Sequence, residues 1–328
     1  MRTAFIESLT TLAERDRRVT LVVGDLGFGV VGDFARRFPD QFINAGVAEQ
    51  NMTGLAAGMA LSGKIVFTYS IANFPTLRCL EQIRNDVCYH QANVKIVSVG
   101  GGLGYGALGM SHHATEDLAI LRALPGLTVI SPGDPSETAG AVAAVTEMPG
   151  PCYLRLGRAG EPTVHAARPD FQVGKALVVR EGTDLTLIAT GGMLAVAASA
   201  AETLAREGVS ARVLSMHTIK PLDVGAILAS ARRTRVVATL EEHSILGGLG
   251  GAVAEVLAES GLRGVTFRRI GLPSAYSTAI GDQDYLRRIH GLDELGVLAA
   301  LRALLDVRAR AQARRAARRS LTSRGVSR

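Results

Sequence analysis

Glu49 is the residue of this chain whose type and setting most clearly suit chemistry. It stands in Gly46-Val47-Ala48-Glu49-Gln50-Asn51-Met52-Thr53-Gly54, after the strand-like Phe42–Asn44 and at the head of an Ala- and Gly-rich helix. In open α/β sheets ligands bind beyond the carboxyl ends of the strands. A carboxylate there, flanked by side chains small enough to admit something flat, suits cofactor binding. A Glu in the first turn of a helix is equally favoured by the helix dipole, so the residue alone leaves both readings open. Cysteine chemistry offers less. Cys79, Cys88 and Cys152 form neither a CxxC pair nor an even-numbered framework, which is the pattern of reduced thiols in a cytoplasmic protein.

The elements that must position Glu49 alternate in type. Val19–Val23, Lys64–Thr68, Val94–Val99 and Leu127–Ile130 read as buried strands, with helices at Glu49–Leu61 and Pro75–Gln91 between them. Asp134-Pro135-Ser136-Glu137 opens a further helix: Asp can cap, Pro fits the first turn and Glu can reach back. Such alternation predicts an α/β fold, a doubly wound domain with a mainly parallel sheet covered on both faces. A polar stretch from Gly157 to Asp170 interrupts it. The pattern then resumes with strands at Leu185–Ala189, Ala211–Ser215, Val236–Thr239 and Val265–Arg269 and helices at Leu194–Glu207, Leu222–Ala229 and Gly248–Glu259, a second and smaller α/β domain.

Composition agrees with a well-buried globular chain. Of 328 residues, 47% are hydrophobic and 20% charged, too apolar for a disordered protein. The net charge of +6 comes from the end: residues 307–328 carry eight Arg and no acid, leaving 28 basic against 30 acidic residues elsewhere. The basic balance therefore implies no nucleic-acid partner, and the tail is expected to be disordered or partly helical. The first residues mix Glu7, Glu14 and Arg15 with apolar ones, unlike a signal peptide. No window reaches 18 uncharged apolar residues, so no membrane span is expected.

The run around Glu49 closely resembles the signature of the pyrimidine-binding domain of transketolases and 1-deoxyxylulose-5-phosphate synthases. Further matches follow in the family's order: Tyr69-Ser70, Phe74 through Arg78, Glu81-Gln82-Ile83-Arg84-Asn85-Asp86, Gly104-Tyr105-Gly106 with Ser111-His112-His113, Glu116-Asp117, Pro132-Gly133-Asp134-Pro135 and Leu154-Arg155-Leu156-Gly157-Arg158. His217 through Asp223 and Glu241-Glu242-His243 resemble the family's C-terminal domain. The resemblance implies a thiamine-diphosphate pyrimidine-binding domain at 1–160 and a transketolase C-terminal-like domain at 172–306. One family feature is missing. These enzymes bind the diphosphate through a divalent metal held by Gly-Asp-Gly and a later Asn, yet every Gly-Asp here (at 24, 32, 133 and 281) continues with Leu, Phe, Pro or Gln. The implied Mg²⁺ needs oxygen ligands from elsewhere. The expectation is a split enzyme whose partner chain carries the diphosphate and metal domain, assembled as an α2β2 heterotetramer, with no metal ligand on this chain.

The resemblance also implies roles. Glu49 hydrogen-bonds the cofactor's pyrimidine N1′ and favours the imino tautomer whose nitrogen acts as base. Phe74 is the stacking candidate, with Tyr69 as the alternative wall, because Ile71-Ala72-Asn73 look like extra residues relative to deoxyxylulose-phosphate synthases. Asp25 matches a family position close to the cofactor; Arg78 is grouped with the cofactor-binding residues, and it and Arg155 can alternatively serve structurally or in the funnel that binds substrate phosphate. His112 matches the histidine that hydrogen-bonds the ketose or the intermediate; His113 stands where many relatives have Gln. Arg158 matches an arginine that binds substrate phosphate. Leu108 replaces the Asp with which ordinary transketolases read an acceptor hydroxyl, so their sugar specificity does not carry over. His217 and His243 are expected to be structural.

The implied activity is transfer of a two-carbon ketol unit between sugars or sugar phosphates in carbohydrate metabolism. Two alternatives are the beta subunit of a 2-oxo acid dehydrogenase, or other thiamine-diphosphate C–C lyase or ligase, and a non-catalytic interaction subunit. The Gln50-Asn51-Met52 and Glu81–Asp86 runs and Arg158 favour transketolase over the first; retention of Glu49, Phe74 and His112 speaks against the second.

Overall fold

The computed structural model describes residues 1–324. Before the linker run β1 (Val19–Val23), β2 (Phe42–Asn44), β3 (Ile65–Ile71), β4 (Val94–Val99), β5 (Thr128–Ile130) and β6 (Cys152–Leu156). After it come β7 (Leu177–Arg180), β8 (Leu185–Ala189), β9 (Ala211–Ser215), β10 (Thr218–Lys220), β11 (Val236–Ser244) and β12 (Thr266–Leu272). They form a seven-stranded sheet ordered β10-β5-β6-β4-β3-β1-β2 and a five-stranded sheet ordered β12-β11-β8-β9-β7. Every pairing is parallel except at one edge of each sheet, where β10 and β7 run antiparallel. The expected mixed α/β architecture with mainly parallel sheets is thus observed.

Both faces of the first sheet are covered, and strand alternation sorts side chains between them. Leu21 and Val23 of β1 and Phe67 and Tyr69 of β3 pack with Phe5 and Leu9 of the helix Arg2–Arg15 and with Val142 and Val145 of the helix Pro135–Glu147. Val22 and Val66 face the other way, onto Met52, Ala56 and Ala60 of the helix Glu49–Leu61. That helix buries positions 52, 53, 56, 57 and 60, the spacing of one helical face. Its small side chains let it lie close to the sheet.

Several segments depart from the sequence reading. Pro75–Gln91 is not one helix: turns occupy residues 72–79, followed by the α-helical Leu80–Gln82 and the π-helical Ile83–Cys88. β6, β7 and β10 went unread, and β11 and β12 are longer than their apolar runs. β10 is the largest surprise, because residues 218–220 lie within the second domain's sequence yet complete the first sheet, pairing Thr218 with Ile130. Lys220 secures it, its Nζ donating to the carbonyls of Arg122 and Leu124. The helix Pro135–Glu147 begins as expected: Asp134 Oδ1 accepts from Glu137 N at 2.7 Å, although Glu137 reaches back one residue further, to Gly133 N. The linker is tied down, with Asp134 Oδ2 accepting from Val164 N and His165 N. Glu294–Arg324 closes the described chain as one helix, and residues 325–328 of the Arg-rich tail lie outside the described residues.

A buried ion pair joins the parts. Arg155, the penultimate residue of β6, donates from Nε to Asp117 Oδ2 at 2.8 Å, and from Nη2 to the carbonyls of Ala114 (2.8 Å) and Glu242 (3.0 Å). Tyr153 donates its hydroxyl to the same Asp117 oxygen. Removing one partner of a buried pair leaves an uncompensated charge and costs about 3–5 kcal/mol. Arg155→Ala is expected to lower stability by about that amount, read as a fall in the urea midpoint; a midpoint within error of wild type contradicts the assignment.

Candidate active site

The predicted residues emerge from loops at one end of the first sheet. Asp25 follows β1, Glu49 follows β2, Phe74 and Arg78 follow β3, His112 and His113 follow β4, and Arg158 follows β6. All leave carboxyl ends of strands, where a parallel sheet opens a crevice. They gather around the switch point of the sheet at β1, whose neighbours β2 and β3 lie on opposite sides of it.

Four of these side chains touch in series. Glu49 is buried, 2% exposed, at the first position of its helix. Its Oε2 accepts from Arg78 Nη1 at 2.8 Å, while among the described residues Oε1 has no hydrogen-bond partner. Arg78, half exposed, lays its guanidinium 5.1 Å from the centroid of the Phe74 ring, within cation–π range. The other neighbour of that ring is His112, edge-on with centroids 5.1 Å apart. His112 Nδ1 lies 3.0 Å from Ser111 Oγ. Asn73 ties the two loops together by donating from Nδ2 to Ser111 O at 2.6 Å. Sequence reasoning passed over Asn73, seeing only extra residues there. Its position, one before the aromatic, was the available signal.

Asp25 borders this group. It is exposed, in a left-handed turn with φ of 54°, and Asn44 holds it: Asn44 Nδ2 donates to Asp25 Oδ1 and Asn44 Oδ1 accepts from Asp25 N and Gly46 N. Asn44 therefore fixes the turns after β1 and β2 together, a second role missed in the sequence. The turns pack closely: a Cβ at Gly24 would lie in ordinary van der Waals contact with Glu49 Cγ, at 3.6 Å.

The remaining predicted residues lie elsewhere. Tyr69 is not a wall of the crevice: it points to the opposite face of the sheet, stacked on Phe5 with centroids 5.7 Å apart, and burial pushes its phenol well up. His113 turns away from His112. It is 5% exposed and lines a cavity of about 540 Å³ between the domains with Glu116, Ser244, Ser277 and His290. Arg158 is exposed above the Tyr105 ring, 5.1 Å from its centroid, and lines a different cavity of about 550 Å³ with Arg287 and Glu294. Leu108 is 56% exposed at the tip of the β4 loop. His217 is buried against Phe171 at 4.0 Å, and His243 is buried with Nδ1 donating to Ser244 O. All three cysteines are free and buried. Among the described residues no three His, Cys, Asp or Glu side chains converge as a metal site requires, and no helix is long and apolar enough to cross a membrane.

Comparison with known proteins agrees with this layout. The transketolase pyrimidine-binding domain matches residues 1–161 and the transketolase C-terminal domain residues 174–296. The chain belongs to the transketolase family. It is 42% identical over 298 residues to an apulose-4-phosphate transketolase subunit of Phocaeicola vulgatus, covering 90% of this chain and 94% of that one. It is 38% identical to the 6-deoxy-6-sulfo-D-fructose transketolase subunit SqwH of Clostridium sp. strain MSTE9, with 92% of each chain covered. Against 1-deoxy-D-xylulose-5-phosphate synthase 1 of Geobacter sulfurreducens, 35% identical, it spans 92% of itself but 47% of that protein. A solved split-gene transketolase, described as an inactive beta4 tetramer, superposes with a TM-score of 0.87 at 39% identity over 94% of this chain and 98% of that one. This transketolase chain thus matches the subunits of split enzymes along nearly their whole length.

His113 gives a measurable signature of its position. Burial holds its imidazole below the usual pKa of 6.5, with the charges of His112 and His290 acting the same way against Glu116 and a hydrogen bond to the Gly106 backbone. Its folded pKa lies below the unfolded one, so its contribution is present above the unfolded pKa and is lost as pH falls. Wild type is therefore expected to lose stability relative to His113→Gln between about pH 7 and pH 5, seen as converging or crossing denaturation midpoints. Parallel pH profiles would show that His113 is not held neutral.

Proposed function

We propose that this chain is the subunit of a two-chain, thiamine-diphosphate-dependent transketolase that receives the pyrimidine end of the cofactor. The partner chain supplies the diphosphate domain and its Mg²⁺ ligands, in an α2β2 assembly. The observation that carries the reading is the Glu49 carboxyl: buried, anchored through one oxygen by Arg78, with the other oxygen free of partners among the described residues.

These residues fit the cofactor. Glu49 Oε1 can share a proton with a ring nitrogen, a hydrogen bond that this otherwise unpartnered oxygen lacks. Arg78 keeps the carboxyl in place through Oε2 and limits its freedom to turn away. Phe74 offers a flat apolar face to an aminopyrimidine, with Asp25 at the crevice edge. When bound, thiamine diphosphate supplies the nucleophilic carbon that accepts and passes on a two-carbon ketol unit. His112, whose imidazole can donate and accept, is placed to hydrogen-bond substrate hydroxyls and move their protons. Arg158, exposed above Tyr105, suits the anionic end of a substrate. Relatives named for a sugar phosphate and a sulfo-sugar support ketoses with an anionic terminal group as the substrate class.

Purified alone, the chain is expected to bind thiamine diphosphate weakly and to transfer no ketol unit. Mixed with a chain carrying the Gly-Asp-Gly and Asn motif, it is expected to give activity and a heterotetramer by mass photometry. Full turnover by the single chain overturns the two-chain reading. In the assembled enzyme Glu49→Gln is expected to reduce kcat by at least about 100-fold; unchanged kcat removes Glu49 from the chemistry.

A further inference from the structure

The loop that carries His112 does not stand on its own domain alone. After β4 the chain leaves the sheet at Gly100, and the base of the loop is closed by a two-way bridge, Gly102 N to Ala114 O and Ala114 N to Gly102 O, both 2.9 Å. Above that base, the next backbone donor is met by the second domain: Leu103 N–H donates to Glu242 Oε1 at 2.6 Å. Glu242 comes from β11 and is 3% exposed. Its carboxylate is otherwise held within the second domain, with Gln283 Nε2 donating to Oε1 (2.8 Å) and Oε2 (3.1 Å) and Arg287 Nε donating to Oε2. Its backbone carbonyl accepts from Arg155 Nη2, the same nitrogen that holds Ala114 O.

The glycines of the loop make this approach possible. At Gly102, with φ of +70°, a Cβ would lie 2.5 Å from Glu242 Oε1 and 2.7 Å from its carbonyl oxygen. At Gly106 a Cβ would lie 2.7 Å from Gly281 O and 2.2 Å from Leu286 Cδ1. The loop is thus pressed onto β11 and the helix Gln283–Ile289 at two points. Between and beyond them it presents Tyr105 beneath Arg158 and His112 against Phe74.

We infer that Glu242 is a positioning residue for substrate binding: its carboxylate sets the height of the 103–113 loop, and through it the placement of His112 and Tyr105. A charged acceptor makes a stronger, better-directed bond to a backbone N–H than a neutral one. Gln283 and Arg287 fix the carboxylate itself. Through this loop the second domain takes part in ketose recognition. This rests on the two-chain transketolase reading above, and Glu49, Phe74 and Arg78, which face the cofactor, lie outside the loop.

The test uses the assembled two-chain enzyme with whichever donor it turns over among apulose 4-phosphate, 6-deoxy-6-sulfo-D-fructose and D-xylulose 5-phosphate, and an aldose phosphate as acceptor. Glu242→Ala is expected to lower kcat/KM for the donor by about 100-fold, the scale of a misplacement near 1 Å, mainly through KM. The thiamine diphosphate concentration for half-maximal activity stays within about twofold of wild type, since the cofactor-facing residues are untouched. Hydrogen exchange of amides 103–113 rises in the same complex. Glu242→Gln keeps an acceptor for Leu103 N–H but loses the charge facing Arg287, so it is expected to restore donor KM while remaining less stable. An assembled Glu242→Ala enzyme with wild-type donor KM and wild-type exchange over 103–113 overturns the inference, as does a Gln variant whose donor KM rises as far as that of Ala. If the wild-type complex turns over none of these ketoses, the transketolase reading is what has failed, and exchange over 103–113 in wild type, Glu242→Ala and Glu242→Gln still decides the clamp.

Discussion

The molecule is organised around a guanidinium that water barely reaches. Arg155 is the penultimate residue of β6, and its donors serve Asp117, the end of the β4 loop and the backbone of β11. Five N–H groups in a rigid fork make arginine the side chain able to satisfy several acceptors in fixed directions. Desolvating such a pair costs nearly what its attraction returns, so its value lies in geometry more than in net stability. With Asp117 and Tyr153 it fixes where three segments meet: the β4 loop, the helix Asp117–Arg122 and β11, the second domain's longest strand. Everything placed on those segments inherits that registration.

The crevice shows how a parallel sheet converts topology into a site. No two of Glu49, Phe74 and His112 come from the same loop, yet each follows the carboxyl end of a neighbouring or near-neighbouring strand. Electrostatics completes the arrangement. Glu49 is buried with one carboxylate oxygen held by Arg78, and Arg78 passes from that carboxyl to the face of Phe74. Asn44 and Asn73 do the joining, each bridging two loops through a short amide of fixed direction.

Much of this was legible in the sequence because local chemistry dictates it. β1, β4, β8 and β9 are mostly apolar runs bounded by polar or turn-forming residues, and the Glu49 helix has both an acidic start and a single buried face. Where reading failed, the deciding information was non-local. Tyr69 and Ser70 alternate across β3, but which of them faces the Glu49 helix depends on which helices cover each face. His112 and His113 are adjacent on a tight turn that points them to different places, and no propensity encodes that divergence. β6 carries Arg155 inside an apolar run, a charge that reads as a strand breaker until Asp117 is seen beside it. β7 and β10 are short antiparallel edges whose existence depends on the strand they cover. The π-helical Ile83–Cys88 replaces part of a helix whose pattern looked regular.

β10 sets a boundary condition on how such chains can be recombined over evolutionary time. The edge of the first sheet is completed by three residues encoded well inside the second domain. A crossover placed in the linker would therefore separate β5 from the strand that shields it and leave an open edge prone to intermolecular pairing. Modules exchanged between relatives must travel with residues 218–220 or bring an equivalent strap. The unit of inheritance here is the pair of domains together, and a hybrid gene spliced between the two sheets starts with an exposed strand it has to cover anew.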